Sequence, residues 1–324
     1  MIADQATTFH PILMTTSQLT FANRWDHILA RWAVNRSGHR VEPGLYRLGS
    51  PAPDAPVFVS ANYTLSFDAL RSALTGVDAY ILVLDTKGVN VWCAAGEGTF
   101  GTDELVNRIA STDLGAIVSH RRLILPQLGA PGVVAHEATK RSGFKVEYGP
   151  VRAKDIPTYL IDHTATPTMR LVQYSLRDRL PLIPVELVFA LIPILLVILL
   201  LHSYAAAIAI LAGVALFPIL LPWLPTPNFS TKGYLLGFLV MLPFIYLTLL
   251  EIPETNIWLL VLRVVATLLV FPPITAFLAL NFTGSTTFTS RTGVRNEIFT
   301  YIPPMAWMFG VGIILQVIIL LVRV

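Results

Sequence analysis

Apolar positions are distributed along this chain in two different ways. From about residue 182 onward they merge into five runs, 182–201, 204–224, 233–252, 256–280 and 301–322, each near the ~20 residues a helix needs to cross ~30 Å of hydrocarbon. The pattern predicts an all-α transmembrane region of five helices. Ahead of it the apolar stretches are short and separated by turn signals such as Pro43-Gly44 and Pro51-Ala-Pro-Asp-Ala-Pro56. Residues 66–74 read as a helix. Ala79-Tyr-Ile-Leu-Val-Leu-Asp85 is a continuous apolar run rich in aromatic and branched residues, which predicts a strand buried on both faces. A turn at Lys87-Gly88 and glycine-rich chain follow. A helix is then expected over 103–110, with Thr102 as N-cap and Asp103 and Glu104 favourably placed in its first turn. Ala116-Ile-Val118 and 122–125 read as strands, 132–142 as a helix and 144–148 as a strand. Alternating strand and helix predict an α/β, Rossmann-like core, so the chain divides into an N-terminal domain of residues 1–170 and a transmembrane domain of residues 171–324. Neither part shows an internal repeat or a low-complexity run.

Composition sharpens that division. Only 13% of the 324 residues are charged, against the roughly one-quarter usual for soluble domains, and the mean hydropathy is +0.64. Residues 182–324 carry nine of the 43 formal charges, so the rest belong to the head. An ordinary cytosolic enzyme is excluded. The head holds 18 basic against 16 acidic residues, so the pI near 9.0 marks no nucleic-acid surface, and no nucleic-acid partner is expected. The single cysteine, Cys93, rules out an internal disulfide, and it rules out an iron–sulfur cluster or thiolate zinc site built by this chain alone. Residues 1–8 have neither a basic n-region nor an apolar h-region, which predicts a head that stays in the cytoplasm.

Basic residues give the same orientation. Arg170, Arg177 and Arg179 precede the first run, Lys232 lies between the second and third, and Arg291 and Arg295 lie between the fourth and fifth. Connections 202–203 and 253–255 have no Lys or Arg. Head and basic loops are therefore expected on the cytoplasmic side of a multi-pass protein of the inner (cytoplasmic) membrane, with Arg323 outside as an exception. Arg263 either lines a pathway or snorkels from its position about seven residues inside its run. With no thiol and few carboxylates in the runs, a metal-conducting transporter is poorly supported. The hydroxyl-rich segment 281–297 reads either as a polar linker or as a surface for the head, a partner or phosphate groups.

Two segments of the head could carry chemistry. Gly96-Glu-Gly-Thr-Phe-Gly101 formally matches G-x-G-x-x-G, but no acidic residue follows in the window 116–124 where a dinucleotide ribose would need one. Arg121 and Arg122 could favour a 2′-phosphate there, yet Glu97 inside the loop would repel a pyrophosphate. The rarer feature is Asn90-Val-Trp-Cys-Ala-Ala-Gly96, where the lone thiol stands just ahead of a glycine-rich turn and a helix start. Helix N-terminal amides favour a thiolate, which can attack carbon or bind a metal. His120 and His136 are available as bases, although neither has a diagnostic spacing.

Asn90-Val-Trp-Cys-Ala-Ala-Gly96, followed by Gly98-Thr-Phe-Gly-Thr102 and preceded by Ala61-Asn-Tyr-Thr-Leu-Ser-Phe67 and Ile81-Leu-Val-Leu-Asp-Thr-Lys-Gly88, resembles the membrane-anchored corrinoid protein of bacterial and archaeal mercury methylation. That family is related to the corrinoid iron–sulfur protein of the acetyl-CoA pathway. The resemblance extends over nearly the whole chain, including the five runs. One position departs from it: the family motif ends Gly-Lys, whereas this chain has Gly96-Glu97, a reversal of charge.

The resemblance implies a cobalamin held without its own base, with the Cys93 thiolate as lower axial cobalt ligand. A thiolate donates strongly into Co(III), and methyl transfer to Hg(II) leaves Co(III) behind, so such a ligand lowers the barrier by differential transition-state binding. Remethylation from a methyl-folate donor requires Co(I). The electrons are then expected from a small ferredoxin with two 4Fe–4S clusters, whose thiols would also hand over soft Hg(II). Asn90, Val91, Trp92, Ala94, Ala95 and Gly96 are expected to shape the lower face of the macrocycle. Gln127, Leu128, Gly129 and Ala130 lie at a strand end, where open α/β sheets bind ligands, and are expected as further corrinoid contacts. The Asp-x-His-x-x-Gly signature of histidine-ligated cobalamin proteins is absent. A membrane-tethered methyl carrier of acetyl-CoA pathway metabolism, not acting on mercury, is the competing reading, and a dinucleotide sensor with a membrane tail is a third.

Overall fold

A computed structural model describes residues 11–251, 257–284, 286 and 291–322. Expectations placed on residues 1–8, on the 253–255 connection, on residues 285 and 287–290 of the hydroxyl-rich segment and on Arg323 fall outside the described residues. The chain forms two compact units, which divide at Val172 and Gln173 apart from Arg31–Ala33.

In the first unit the elements run β1 (Leu13–Thr15), α1 (Phe21–Arg31), β2 (Gly44–Leu48), β3 (Val57–Ala61), α2 (Thr64–Ala73), β4 (Ala79–Leu84), α3 (Val91–Glu97), α4 (Thr102–Ser111), α5 (Leu114–Ile117), β5 (Arg122–Leu125), α6 (Ala135–Ser142), β6 (Lys145–Tyr148) and α7 (Ile156–Asp162). The six strands form one sheet in the order β1-β2-β4-β3-β5-β6. It is a mixed sheet rather than the uniformly parallel one of a Rossmann-like core, because β2 pairs antiparallel with β4 while the β3–β4, β3–β5 and β5–β6 pairs are parallel. Those parallel strands are arranged so that the chain leaves β3 toward β4 on one side and returns to β5 on the other. The reversal of winding therefore lies between β3 and β5, where open sheets leave a crevice at the strand carboxyl ends.

Both faces of the sheet are covered. All six residues of β4 are buried, as its continuous apolar run predicts. On one face Val91, Ala94, Leu105 and Ile109 pack with Leu45, Val57, Val59 and Leu82. On the other, Phe67, Leu70, Ile156 and Tyr159 pack with Tyr46, Phe58, Ile81 and Val83. Burying each large side chain contributes about 1.5–3 kcal/mol. Three expectations are corrected. Ala116-Ile-Val118 is not a strand: Leu114–Ile117 forms a helical turn after Asp113, whose φ is 47°. Thr102 is not the N-cap of α4. Gly101 is, and the Thr102 hydroxyl instead accepts from Val134 N at 2.9 Å. The helix expected from 132 starts at Ala135, after Val134, whose backbone is extended (φ −89°, ψ 101°) and whose N–H goes to Thr102, while the Tyr148 hydroxyl donates to Val133 O.

The second unit comprises α8 (Leu176–Arg179), α9 (Ile183–Leu199), α10 (Tyr204–Leu211), a π-turn at Ala212–Leu216, α11 (Phe217–Leu220), α12 (Phe229–Glu251), α13 (Ile257–Ala279) and α14 (Arg291–Val322). Among the described residues, four helical stretches have the length and apolarity to cross a membrane: Leu176–Leu199, Phe229–Leu250, Ile257–Phe282 and Thr292–Val322. The run expected over 204–224 is shorter, an apolar helix over Tyr204–Leu220 of about 25 Å at 1.5 Å per residue. Its end is held by a side chain: buried Arg179 donates to the carbonyls of Pro218 (2.8 Å) and Ile219 (2.7 Å), while Lys232 donates to Leu224 O in the connection that follows. A cation thus satisfies carbonyls that a helix C-terminus leaves open. Because Arg179 precedes α9, this shorter helix runs back along the length of α9. Buried Glu297 accepts from Ser230 N at 2.6 Å, a carboxylate at the amino end of α12.

Candidate functional site

The thiol sits in the first turn of α3. Asn90 is the N-cap of α3, with extended backbone (φ −65°, ψ 160°) and its side-chain oxygen accepting from Cys93 N at 3.0 Å. The same side chain turns its amide nitrogen to Cys93 Sγ at 3.5 Å. One residue thus caps the helix, worth about 1 kcal/mol, and donates to the sulfur. At the far end Gly98, with φ 91°, closes the helix by donating to Ala94 O. That left-handed position suits glycine.

α3 has two unlike sides. Val91, Ala94 and Ala95 are buried in the core, whereas Trp92, Cys93 and Gly96 are partly exposed and Glu97 is exposed. Cys93 and Glu97, one turn apart, share a face, and Gly96 adds no side chain beside them. Glu97 occupies the C-terminal residue of α3, where the helix dipole favours a cation instead. Gly96–Gly101 therefore wraps the carbonyl end of α3.

The loop feeding α3 is held from outside itself. Asn62, 1% exposed at the end of β3, accepts through Oδ1 from Thr86 N (3.1 Å) and Gly88 N (2.9 Å), with the Thr86 hydroxyl at 2.9 Å. Its amide donates to Asp85 Oδ1 at 3.2 Å, and Glu104 of α4 accepts from Asp85 N at 2.8 Å. Lys87 and Gly88 both have positive φ, 57° and 76°, in the tight turn these bonds stabilise. Asn62 is the positioning residue that reading the sequence alone missed.

The second expected segment lies against α3. A side chain at Gly132 would meet Phe100 O at 2.1 Å and Ala95 Cα at 2.9 Å, so only glycine permits this approach. Gln127–Gly129 form a 3₁₀ turn rather than entering a long helix directly. Gly129 is buried, and Gln127 Oε1 accepts from Arg170 at 2.7 Å. Ala130 is partly exposed and donates its N–H to Gln127 O. Nearby, burial pushes the Tyr148 phenol above its ordinary value, so its hydroxyl keeps the proton it donates to Val133.

Between the carboxyl ends of β3 and β5 lies a cavity of about 340 Å³. Ser60, Leu125, Leu128, Asn90, Val91 and Trp92 line it, together with residues of α2 and of the segment after β6. It brings Leu128 together with Asn90, Val91 and Trp92. Cys93, Ala94, Ala95, Gly96, Gln127, Gly129 and Ala130 do not line it. The thiol thus opens on the exposed face of α3, and Asn90 and Trp92 are common to that face and the cavity. His120 offers no base: its Nε2 faces Ala55 O at 2.9 Å and its Nδ1 accepts from Arg122 N. Arg121 is engaged with the carbonyls of Gly115, Val118 and His120. His136 is exposed on α6. Among the described residues no three His, Cys, Asp or Glu side chains cluster as a metal site.

Part of the chain is similar to known proteins. Residues 31–160 match the family described as CO dehydrogenase/acetyl-CoA synthase delta subunit. The chain is 32% identical over 127 residues to the acetyl-CoA decarbonylase/synthase complex subunit gamma of Methanopyrus kandleri, covering 39% of this chain and 27% of that protein. The corresponding subunit of Archaeoglobus fulgidus is 34% identical over 129 residues, with the same coverage. The corrinoid/iron-sulfur protein large subunit of Moorella thermoacetica is 29% identical over 122 residues, 37% of this chain and 27% of that protein. The chain thus spans about a quarter of the length of these relatives. The matched residues 31–160 include β2 to β6, α3 and the residues that line the cavity.

Proposed function

We propose that the first unit holds a corrinoid against the exposed face of α3, with Cys93 Sγ as lower axial ligand, and that the protein transfers methyl groups to Hg(II). The observation that carries this reading is the placement of Cys93: a partly exposed thiol in the first turn of a capped helix, hydrogen-bonded at both N and Sγ by Asn90. The residues fit such a group. A cavity of about 340 Å³ is at the low end of pockets that enclose a drug-sized ligand, too small for a macrocycle, so the ring must use the open face of α3. There Cys93 stands between Trp92, the side-chain-free Gly96 and, one turn on, the carboxylate of Glu97. When bound, the corrinoid supplies the cobalt that carries the methyl group.

The chain's own residues hold the ligand sulfur. Val91, Ala94 and Ala95 anchor α3 in the core, and Asn90 fixes the rotation of its first turn and donates to sulfur. Asn62 fixes the loop that presents Asn90. Trp92 and Leu128 wall the cavity, while Gly132, pressed on Ala95, keeps 127–130 close to α3. Since Cys93 is the sole thiol, electrons and thiol-bound Hg(II) come from a partner, a small ferredoxin with two 4Fe–4S clusters, and the methyl group from a methyl-folate donor. The tail holds the protein in the cytoplasmic membrane with the head in the cytoplasm. Tyr204–Leu220, returning along α9, makes a fifth pass.

A second reading, a membrane-tethered methyl carrier of one-carbon metabolism, is favoured by the names of the relatives and by exposed Glu97 where a lysine is expected. One experiment separates the two. The full chain in detergent is loaded with cobalamin, supplied with methyl-folate and a low-potential ferredoxin, and given thiol-bound Hg(II). Methylmercury formed by the parent chain and lost in Cys93→Ala supports the first reading. Methyl uptake without methylmercury, in the parent chain and in Glu97→Lys alike, supports the second.

A further inference from the structure

α1 is an amphipathic helix fastened to its unit by the polar side. Asp26 Oδ1 lies 2.7 Å from His39 Nδ1, and His27 Nε2 lies 2.7 Å from Asp68 Oδ2. Asp68 and His39 are buried, and Arg71 binds the second oxygen of Asp68 at 2.6 Å. On the opposite side Phe21, Trp25 and Ile28, and Trp32 directly after the helix, recur every three to four residues. They are 81%, 51%, 44% and 46% exposed. No residue of α1 is buried. An amphipathic helix normally turns such a stripe to the core. Here the two His–Asp pairs fix the opposite orientation, so the apolar stripe requires a cover from outside the unit.

We propose that α1 lies in the headgroup boundary of the membrane that the tail enters, with Phe21, Trp25, Ile28 and Trp32 turned into the acyl chains. Three features select lipid. Tryptophan, with an apolar body and a polar N–H, favours that boundary. Arg24 and Arg31 are exposed and follow the stripe along one flank, matching anionic headgroups, whereas Asp26 faces inward to His39. The same chain also carries, among its described residues, four helices of membrane-spanning length, so a bilayer is present at high effective concentration. Phe21, Trp25 and Ile28 precede the segment 31–160 that matches the family model, as the apolar tail follows it.

The inference rests on the tail being in a membrane, not on the corrinoid reading. The full chain is reconstituted at one copy per nanodisc, in lipids brominated near the headgroup or in unbrominated lipids. The fluorescence of the parent chain minus that of Trp25→Phe isolates Trp25. A surface-inserted ring at 5–10 Å depth should lose roughly half of that difference signal or more, and more with anionic than with zwitterionic lipid. Trp25→Phe should melt with the parent chain, because the ring faces outward. An unquenched difference signal while Trp258 and Trp307 of the tail are quenched would overturn the assignment. Quenching absent from the tail as well would overturn the membrane reading beneath it. A Trp25 signal that responds only in discs holding two copies would show a second chain as the cover, and would likewise overturn it.

Discussion

α1 and α3 are short surface helices of the same unit that face opposite ways. α3 buries Val91, Ala94 and Ala95 and leaves a thiol outside. α1 buries none of its residues, holds on through Asp26 and His27, and leaves aromatic rings outside. The packed helix fixes one atom, Cys93 Sγ, on a rigid support, as a metal ligand requires. The ion-paired helix offers a broad apolar stripe that needs no atomic precision. How a helix is attached therefore indicates what kind of surface its free side can be.

The contrast can be broken most severely from inside α3. Ala94→Asp places an unpaired charge at a position 0% exposed and should cost more than about 4 kcal/mol, seen as a collapse of the head's cooperative melting in detergent. Next is the anchor of α1. Asp68→Ala strips buried Arg71 and His27 of their shared carboxylate and should cost about 3 kcal/mol, with faster amide exchange across α1 as the distinguishing readout. Asn90→Ala removes the cap and the donor to sulfur. We expect a loss of about 1 kcal/mol and weaker cobalamin retention, measured by gel filtration of the loaded chain. The smallest effect belongs to the stripe: Trp25→Asp, on the outer side of α1, should leave the stability of the head in detergent within about 0.5 kcal/mol. A larger loss there would mean that α1 packs through its aromatic side.

What could be read beforehand follows the same physics. β4 was legible because a strand buried on both faces needs an unbroken apolar run, and Ala79–Leu84 is one. The Cys93 motif was found, but α3 itself was not. Seven residues including a glycine give little periodicity, and the available signal was the pairing of Asn90 as N-cap with Gly98 as C-cap. α1 carried a helical repeat in Phe21, Trp25, Ile28 and Trp32 that would have revealed it. Its outward orientation was not legible, since it depends on His39 and Asp68, 13 and 41 residues from their partners. Asn62 was equally hidden, because its bonds reach 23 to 26 residues along the chain. The shortened helix at Tyr204–Leu220 shows how a run of sufficient apolar length can be cut by its context. Arg179 claims the carbonyls at its end, and Pro222 and Pro225 follow.

The central claim concerns a single bond, and X-ray absorption at the cobalt edge tests it most directly. The full chain loaded with cobalamin should show a sulfur scatterer in the first cobalt shell, replaced by nitrogen or oxygen in Cys93→Ala. A first shell of nitrogen and oxygen alone in the parent chain, unchanged by that substitution, would contradict the account.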